Sequence, residues 1–334
     1  MAHVRFNASD RSYTALIKKD IHRMVSNAGL EVKRVDEVDI IVAEITSNLL
    51  KYAKEGELLA LIGEETGNKY LELIAIDKGP GMADPARMLE DGISTSGTLG
   101  QGLGAIKRLA DTCEIYSLKG WGTILLARIY QKPPPYKKPP KFTFRGLVVA
   151  KPGETVSGDG WQLQQDHLRI RVMVADGLGH GPEAQKAVQT AGQAFLQSDA
   201  WTPAEIIRQL HLDVKRTRGL VATILTLDLQ SKAVQVCGVG NISCKVYGGA
   251  QSKGLISYNG IIGMNIPGTM KDHQFFVAEG QQYIILCSDG IRSQWEIIRY
   301  PGILKYDPSV LAAAIYKDFA RQTDDMSVVV GKLN

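Results

Sequence analysis

Four short aspartate-containing signatures in the second half of the sequence most constrain how this chain can fold. They are the segments 157–160 (SGDG), 175–181 (ADGLGHG), 288–290 (SDG) and 323–327 (TDDMS). The alternating run 168–174 predicts a half-buried strand before the second signature, and apolar runs flank the third and fourth. Carboxylates at strand ends can converge on one rim of a sheet, where their oxygens suit a hard divalent cation. A single Asp-Gly pair is also typical of an ordinary turn, but four signatures are hard to explain as turns alone.

The length and charge of the chain limit the classes of protein to which it can belong. At 334 residues, two domains are the natural expectation, and a hydrophobic content of 44% is typical of globular proteins with a full core. The net charge of +4 is mild, and no dense basic face with interleaved aromatic residues is present. We therefore expect no nucleic-acid partner.

The cysteines and the apolar segments bear on localisation. Four cysteines lie far apart, without the spacing of a zinc site, which favours buried free thiols in a reducing compartment. The N-terminal residues do not resemble a signal peptide, and no window approaches the roughly 18 apolar residues of a membrane span. These features predict a cytoplasmic protein without a membrane partner.

A proline-rich and lysine-rich segment divides the sequence. Residues 131–141 contain five of the thirteen prolines and therefore suit neither a helix interior nor a central strand. We expect a stiff linker there, although its lysines also leave a docking role open. The predicted domains are residues 1–130 and 142–334, both of mixed α/β composition. In the second domain, helices are predicted near residues 182–196, 203–214 and 308–320.

The first half contains three polar motifs in a fixed order. Glu44 and Asn48 are four residues apart on an amphipathic helix predicted over 35–53, so they share a face. Asp77, Gly79 and Gly81 follow a predicted strand, and a second glycine motif leads into a helix near 105–110. Glycines that open a helix let backbone N–H groups approach phosphate oxygens. The spacing fits neither the Rossmann fingerprint nor a Walker A loop.

These motifs, over about residues 10–130, resemble the GHKL ATP-binding fold, particularly the RsbT-like and SpoIIAB-like serine kinases of bacterial partner switching. The resemblance implies an α/β sandwich that binds ATP with Mg²⁺. Asn48 would hold the Mg²⁺. Asp77 would accept a hydrogen bond from the adenine amino group; Gly79 belongs to the same motif, and Gly81 would let the backbone approach closely. Glu44 would be the base that accepts the proton of a substrate hydroxyl. The phosphates would be wrapped by Gly100, Gly102 and Gly104.

The order of the aspartate signatures resembles the PPM (type-2C) serine/threonine phosphatases, most closely their SpoIIE/RsbX-like branch, over about residues 142–332. The resemblance implies an αββα sandwich with two Mg²⁺ or Mn²⁺ ions, between which an all-aspartate site does not discriminate. Asp176 would bridge both ions, and the Gly177 carbonyl would complete one coordination sphere. Asp289 and Asp324 would hold the second ion, and Asp159 would contact the first through water. Asp176 and Asp289 would thereby be central to catalysis.

The roles of two basic residues near these motifs remain open. Some PPM enzymes place a histidine that acts as a general acid just after the bridging aspartate, but His180 comes four residues later and fits a capping or packing role better. The arginine that binds phosphate in some relatives has no clear match, and Arg145 is the candidate that the sequence offers.

The leading hypothesis is a bifunctional enzyme that phosphorylates and dephosphorylates a Ser or Thr of a STAS-domain antagonist protein. One alternative keeps the phosphatase and makes the first half an ATP sensor without kinase activity. Another makes the first half a non-catalytic module that binds a sigma factor or another switch protein. The resemblance also implies a homodimer, since kinases of this type often dimerise.

Overall fold

The computed structural model describes residues 2–8, 10–88, 102–134, 140–248, 251–277, 280 and 282–333. These residues form two compact units. The N-terminal unit takes in the described parts of residues 3–138 and 302–314, and the C-terminal unit takes in those of 139–301 and 315–334, with residue 2. Within the described ranges, no helix is sufficiently long and apolar to cross a membrane.

The N-terminal unit is a five-stranded antiparallel sheet with helices packed on it. The strands are β1 (Val4–Asn7), β2 (Gly56–Glu65), β3 (Asn68–Asp77), β4 (Thr112–Leu118) and β5 (Gly122–Tyr130), in the order β1-β2-β3-β5-β4. The helices are α1 (Thr14–Ala28), α2 (Val32–Tyr52), α3 (Pro85–Met88) and α4 (Gly102–Leu109). The apolar stripe of α2 is buried against alternate residues of the sheet, including Leu71 and Leu73. The amphipathic helix predicted from the sequence is therefore confirmed.

The C-terminal unit contains two five-stranded antiparallel sheets. The first has the order β13-β10-β9-β8-β7, with strands β7 (Asp159–Gln165), β8 (Arg169–Gly177), β9 (Leu220–Asp228), β10 (Ala233–Val239) and β13 (His273–Phe276). The second has the order β12-β11-β14-β15-β6, with strands β6 (Phe142–Val149), β11 (Ser243–Gly248), β12 (Gln251–Leu255), β14 (Gln282–Cys287) and β15 (Met326–Leu333).

Two apolar layers hold this unit together. Residues of both sheets, among them Val172, Leu225 and Leu286, form one core between the sheets. The opposite face of the first sheet packs against α5 (Pro182–Gln197) and α6 (Pro203–Asp213). The third predicted helix is α7 (Pro308–Phe319), which precedes β15 in the chain. Short 3-10 helices occur at Arg11–Tyr13, Ile297–Arg299 and Ile303–Lys305.

Strand β8 is more deeply buried than its alternating sequence predicted. Arg171 and Met173 lie on its supposedly exposed face, yet they are only 4% and 0% exposed. The prediction of a half-buried strand is wrong because β8 is an interior strand whose two faces are covered by helices and by the second sheet. Arg171 is accommodated by donating a hydrogen bond to the carbonyl of Ser198, at 2.6 Å.

The cysteines are free thiols, as predicted. Cys237, Cys244 and Cys287 are buried, whereas Cys113 is only partly buried. Burial raises the pKa of Cys113 to about 11 and that of Cys244 to about 12, so neither thiol ionises near neutral pH.

Candidate functional site

Helix α2 places the carboxylate of Glu44 against the start of α4. A Cβ atom built on Gly102, the first residue of α4, would lie 2.5 Å from Oε2 of Glu44. A side chain at position 102 would therefore displace the carboxylate. Asn48 lies one turn further along α2 and is half-buried. The structure thus brings the predicted base and the second glycine motif together. Gly104 is buried within α4, whereas Gly100 lies outside the described residues.

The loop after β3 is tightly folded around Asp77. Oδ1 of Asp77 accepts a hydrogen bond from the backbone N–H of Gly79, at 2.6 Å. A Cβ atom on Gly79 would lie 2.6 Å from the carbonyl oxygen of Tyr52. Gly81 has a φ of +69°, and a Cβ atom there would lie 2.0 Å from the carbonyl oxygen of Leu118. Glycine is therefore required at both positions, because another backbone segment lies too close for a Cβ atom. A larger side chain would push the loop away from that segment.

Lys78, in the same loop, forms an ion pair with Glu55 at 2.6 Å, and both side chains are largely exposed. Its ammonium group is therefore engaged at the surface of the unit.

In the C-terminal unit, the antiparallel register places two of the predicted aspartates directly opposite each other. Asp159, the first residue of β7, pairs with Asp176, the second-last residue of β8. Directly opposed residues of an antiparallel pair have Cβ atoms about 4.5–5.5 Å apart. Like charges in such positions repel, and a divalent cation beside the two carboxylates would offset that repulsion.

Asp159 is the more deeply buried of the two opposed carboxylates. It is 5% exposed, and neither carboxylate oxygen has a hydrogen-bond partner among the described residues. Burial raises its pKa well above the ordinary value; the nearby hydroxyls of Ser288 and Ser327 offset part of that rise, and the charges of Asp325 and Asp289 add to it. Burial also raises the pKa of Asp176, with Asp159 as the largest of the neighbouring negative charges.

Burial and the charge of Asp159 are the two largest causes of the raised pKa of Asp176. Asp289 and Asp324 raise this pKa further, so they belong to the same cluster of carboxylates. Oδ2 of Asp289 accepts a hydrogen bond from the side-chain amide of Asn241, at 2.8 Å. Oδ1 of Asp324 accepts one from the backbone N–H of Asp325, at 2.9 Å. Asp289 and Asp324 therefore each have a second carboxylate oxygen that takes no part in these hydrogen bonds.

Asp325 has a different environment from its neighbour. Its two carboxylate oxygens accept hydrogen bonds from the backbone N–H groups of Lys151 and Gly158, both at 2.8 Å. It therefore ties the segment before Asp159 to the start of β15. The sequence contained this aspartate but gave no sign of the role, because its partners are backbone groups more than 150 residues away in the chain.

The glycines of the signatures are required by close packing. Cβ atoms on Gly177 and Gly290 would lie 2.4 Å from the carbonyl oxygen of Ala184 and 1.9 Å from that of Asp325. Neither glycine has a positive φ, so they are not there for turn conformation. Close packing therefore requires these two glycines, although Asp289 and Gly290 also lie in a turn, which the N–H of Ile291 closes by donating to the carbonyl of Ser288 at 3.1 Å.

The two basic candidates lie in different places. Nδ1 of His180 pairs with Oε1 of Glu154 at 2.6 Å, and the imidazole is half-exposed, so His180 is a surface partner of Glu154 rather than a packing residue. Arg145 lies opposite Val330 in the pairing of β6 with β15. That position is five residues along β15 from Asp325, or roughly 16 Å at about 3.3 Å per residue. Arg145 is therefore remote from the aspartates.

The donor set fits a hard divalent cation. The carboxylate oxygens of Asp159, which are buried and have no hydrogen-bond partner, are donors of the kind that a hard divalent cation binds. Among the described residues, no three His, Cys, Asp or Glu side chains form a ready-made coordination shell. Water and backbone carbonyl oxygens would therefore have to supply part of any coordination.

Known proteins match both halves of the chain. Residues 166–334 match the family described as Stage II sporulation protein E (SpoIIE), and residues 6–129 match the histidine kinase-like ATPase domain. Over 95 residues, the chain is 41% identical to the serine/threonine-protein kinase RsbT of Bacillus subtilis (strain 168), covering 28% of this chain and 71% of RsbT.

The phosphatase half has relatives of its own. Over 95 residues, the chain is 28% identical to the phosphoserine phosphatase RsbX of the same organism, covering 28% of this chain but only 46% of RsbX. A crystal structure of RsbX in complex with magnesium superposes with a TM-score of 0.52 and 20% identity, covering 58% of this chain and 96% of that one. At this identity the superposition shows a shared fold. The chain belongs to the SpoIIE family of PPM-type serine/threonine phosphatases through its C-terminal half, joined to an N-terminal histidine kinase-like (GHKL) ATPase domain related to RsbT.

Proposed function

We propose that the C-terminal half removes the phosphoryl group from a phosphorylated serine or threonine of a STAS-domain regulatory protein, with two Mg²⁺ or Mn²⁺ ions. The observation that carries this proposal is the buried, unpartnered carboxylate of Asp159 opposite Asp176. Asp176 would bridge the two ions with help from the Gly177 carbonyl. Asp289 and Asp324 would hold the second ion, and Asp159 would contact the first through water.

When bound, the ions would activate water as the nucleophile and offset charge on the phosphoryl oxygens. The residues of the chain would hold the ions in place. Asn241 would orient Asp289 through the hydrogen bond to its Oδ2, and Asp325 would fix the backbone on which Asp159 and Asp324 are carried.

The N-terminal half would bind ATP with Mg²⁺ and phosphorylate the same protein. Asn48 would hold the Mg²⁺, and Asp77 would recognise the adenine amino group. The phosphates would be bound by the second glycine motif, Gly100, Gly102 and Gly104. The contact between Gly102 and Glu44 supports a role for Glu44 as the base, because it places a carboxylate where the glycine motif begins α4. The relationship to a kinase and to a phosphoserine phosphatase in one chain supports a bifunctional switch.

The phosphatase proposal is tested by phosphate release from a phosphoserine STAS-domain protein in the presence of Mn²⁺. We expect wild-type protein to release phosphate, and Asp176→Asn to lower the rate by on the order of 100-fold or more. Asp213→Asn, at the exposed end of α6, is the matched control and should retain the wild-type rate. Release by Asp176→Asn at the rate of the control would refute the assignment of the site.

The kinase proposal is tested with labelled ATP and unphosphorylated STAS-domain protein. Asp176→Asn is the background for this test, because the phosphatase half then cannot remove the label. We expect label on the STAS-domain protein, its loss on adding Glu44→Gln, and its retention on adding Glu64→Gln at an exposed position of β2. ATP binding without any transfer of label would favour the sensor alternative. Retention of a sigma factor without transfer would favour the binding module.

A further inference from the structure

The loop between α6 and β9 lies beside the loop that follows Asp176. The backbone N–H of Leu178 donates to the carbonyl of Gly219 at 3.1 Å, and Gly177 pairs with Leu220. This contact brings Arg218 next to Gly179, three residues beyond Asp176. A Cβ atom built on Gly179 would lie 3.1 Å from Nη1 of Arg218. The guanidinium therefore lies beside the loop, close enough that a Cβ atom at position 179 would require it to shift by a few tenths of an ångström.

Arg218 is exposed and its guanidinium is unengaged. In the described part of the chain it makes no hydrogen bond, ion pair or ring contact. His180, which follows Gly179, already pairs with Glu154. Arg171, also in this unit, is buried and donates to the carbonyl of Ser198. Of Arg218, His180 and Arg171, Arg218 is therefore the one whose hydrogen-bond donors are available to a ligand.

The chemistry of the substrate calls for such a group. A phosphomonoester carries a charge of about −1.5 to −2 at neutral pH and has three acceptor oxygens. The aspartate cluster repels that charge, and ions bound by the aspartates would engage only the oxygens that face them. A planar guanidinium donates two parallel hydrogen bonds to phosphate, which makes arginine the side chain best suited to the remaining oxygens.

We infer that Arg218 binds the phosphoryl group of the phosphoserine substrate. Arg145 was the candidate for this role in the sequence analysis. The inference rests on the proposed phosphatase function. The guanidinium contacts phosphoryl oxygens from the exposed side of the loop 177–181, and ions bound by the aspartates contact the others. Gly179 leaves room for the guanidinium in its present place, since a Cβ atom there would lie 3.1 Å from Nη1.

The test compares Arg218→Ala and Arg218→Lys with Arg216→Ala, a matched control on an exposed residue of the same loop. Hydrolysis of para-nitrophenyl phosphate and of a phosphoserine STAS-domain protein is measured with Mn²⁺, together with calorimetric binding of inorganic phosphate to the Mn²⁺-loaded protein. We expect Arg218→Ala to lower kcat/KM for both substrates about 10- to 100-fold and to weaken phosphate binding similarly. Arg218→Lys should retain part of the kcat/KM and of the phosphate binding that Arg218→Ala loses. Arg216→Ala should change neither kcat/KM nor phosphate binding by more than about twofold.

The outcomes separate the inference from the proposed function. A wild-type protein that binds phosphate more tightly than Arg218→Ala but hydrolyses no phosphoprotein would refute the proposed function and support Arg218 as a phosphate-binding residue. An effect of Arg218→Ala on the phosphoprotein alone would overturn the inference, because the residue would then contact the protein substrate outside its phosphate. Unchanged phosphate binding, or no binding by wild-type protein, would also overturn it. Because Arg218 is exposed and unpaired, its substitution should leave thermal unfolding unchanged.

Discussion

Buried carboxylates have opposite surroundings in the two units. In the N-terminal unit, Glu72 is 2% exposed and accepts hydrogen bonds from Nε of Arg128 at 2.6 Å and from Nε2 of His3 at 3.2 Å. Although burial alone raises its pKa, the charges and hydrogen bonds of Arg128 and His3 lower the pKa of Glu72 to about 2. In the C-terminal unit, burial and neighbouring carboxylates instead raise the pKa of Asp159 and of Asp176.

The difference lies in whether the chain itself supplies the cation. Arg128 also donates to both carboxylate oxygens of Asp307, each at 2.8 Å, and to Oγ of Ser309 at 2.7 Å. These residues all belong to the N-terminal unit, so its buried network is complete. Among the described residues, no cationic side chain forms an ion pair with Asp159 or Asp176. Burial of an acid therefore accompanies a structural network in the N-terminal unit, whereas in the C-terminal unit it accompanies the cation-binding site that we propose. The partners of each carboxylate make the difference.

Arg128→Met gives the largest effect on the free energy of unfolding. Removing the guanidinium leaves Glu72 and Asp307 without their main partner, and breaking one side of a buried ion pair costs about 3–5 kcal/mol. Urea denaturation measures the loss. Arg23→Met, which removes an exposed ion pair with Asp20, should change stability by less than about 1 kcal/mol. Equal effects of the two variants would contradict the structural role assigned to the network.

Acid should weaken the same network. The pKa of Glu72 is lower in the folded protein, so its stabilisation is present above about pH 4.5 and is lost as the pH falls towards about 2. The shift corresponds to about 3 kcal/mol. We expect the unfolding free energy of Glu72→Gln to depend less on pH than that of wild-type protein across this window. Parallel pH profiles would contradict the account.

Gly290→Ala tests the close approach at the aspartate cluster. A Cβ atom at position 290 would lie 1.9 Å from the carbonyl oxygen of Asp325, so the backbone must shift, at a cost of about 1–3 kcal/mol. We expect lower stability and weaker Mn²⁺ binding. Gly254→Ala is the control, since nothing lies within 4 Å of a Cβ atom there. Wild-type behaviour of Gly290→Ala would show that the Asp-Gly contact is dispensable.

Asp159→Asn should have the smallest effect on the free energy of unfolding, and it should stabilise the protein where the other substitutions destabilise it. In the presence of EDTA, neutralising this carboxylate relieves repulsion with Asp176, and we expect stabilisation by roughly 1 kcal/mol. Mn²⁺ should raise the unfolding temperature of wild-type protein, because it binds the folded state, and should raise that of Asp159→Asn much less. Destabilisation of the variant in EDTA would mean that the carboxylate has a structural partner, as Glu72 does.

Much of the fold could be predicted from the sequence where apolar runs are long and bounded by turn residues. Helices α5, α6 and α7 lie within two residues of their predicted bounds. Asp176 and Asp289 follow or end strands, as predicted. The burial of Arg171 could not be predicted, because it depends on the layers that cover β8 and not on β8 itself.

The candidate site could be predicted only in part. The order of the aspartates was visible in the sequence, but the pairing of Asp159 with Asp176 depends on strand register. The hydrogen bond from Asn241 to Asp289 joins residues 48 positions apart and could not be predicted from either segment alone. Arg218 carries no motif, and its place beside Gly179 arises from the contact of two loops. Long-range contacts of this kind leave no local pattern.

Calorimetric titration of Mn²⁺ into the metal-free protein, without ATP, tests the central contrast most directly. The account predicts saturable binding by wild-type protein and by Glu72→Gln, and binding at least about 10-fold weaker in Asp176→Asn. Equal Mn²⁺ binding by wild-type protein and Asp176→Asn, or weaker binding in Glu72→Gln alone, would contradict the assignment of the aspartate cluster as the cation site.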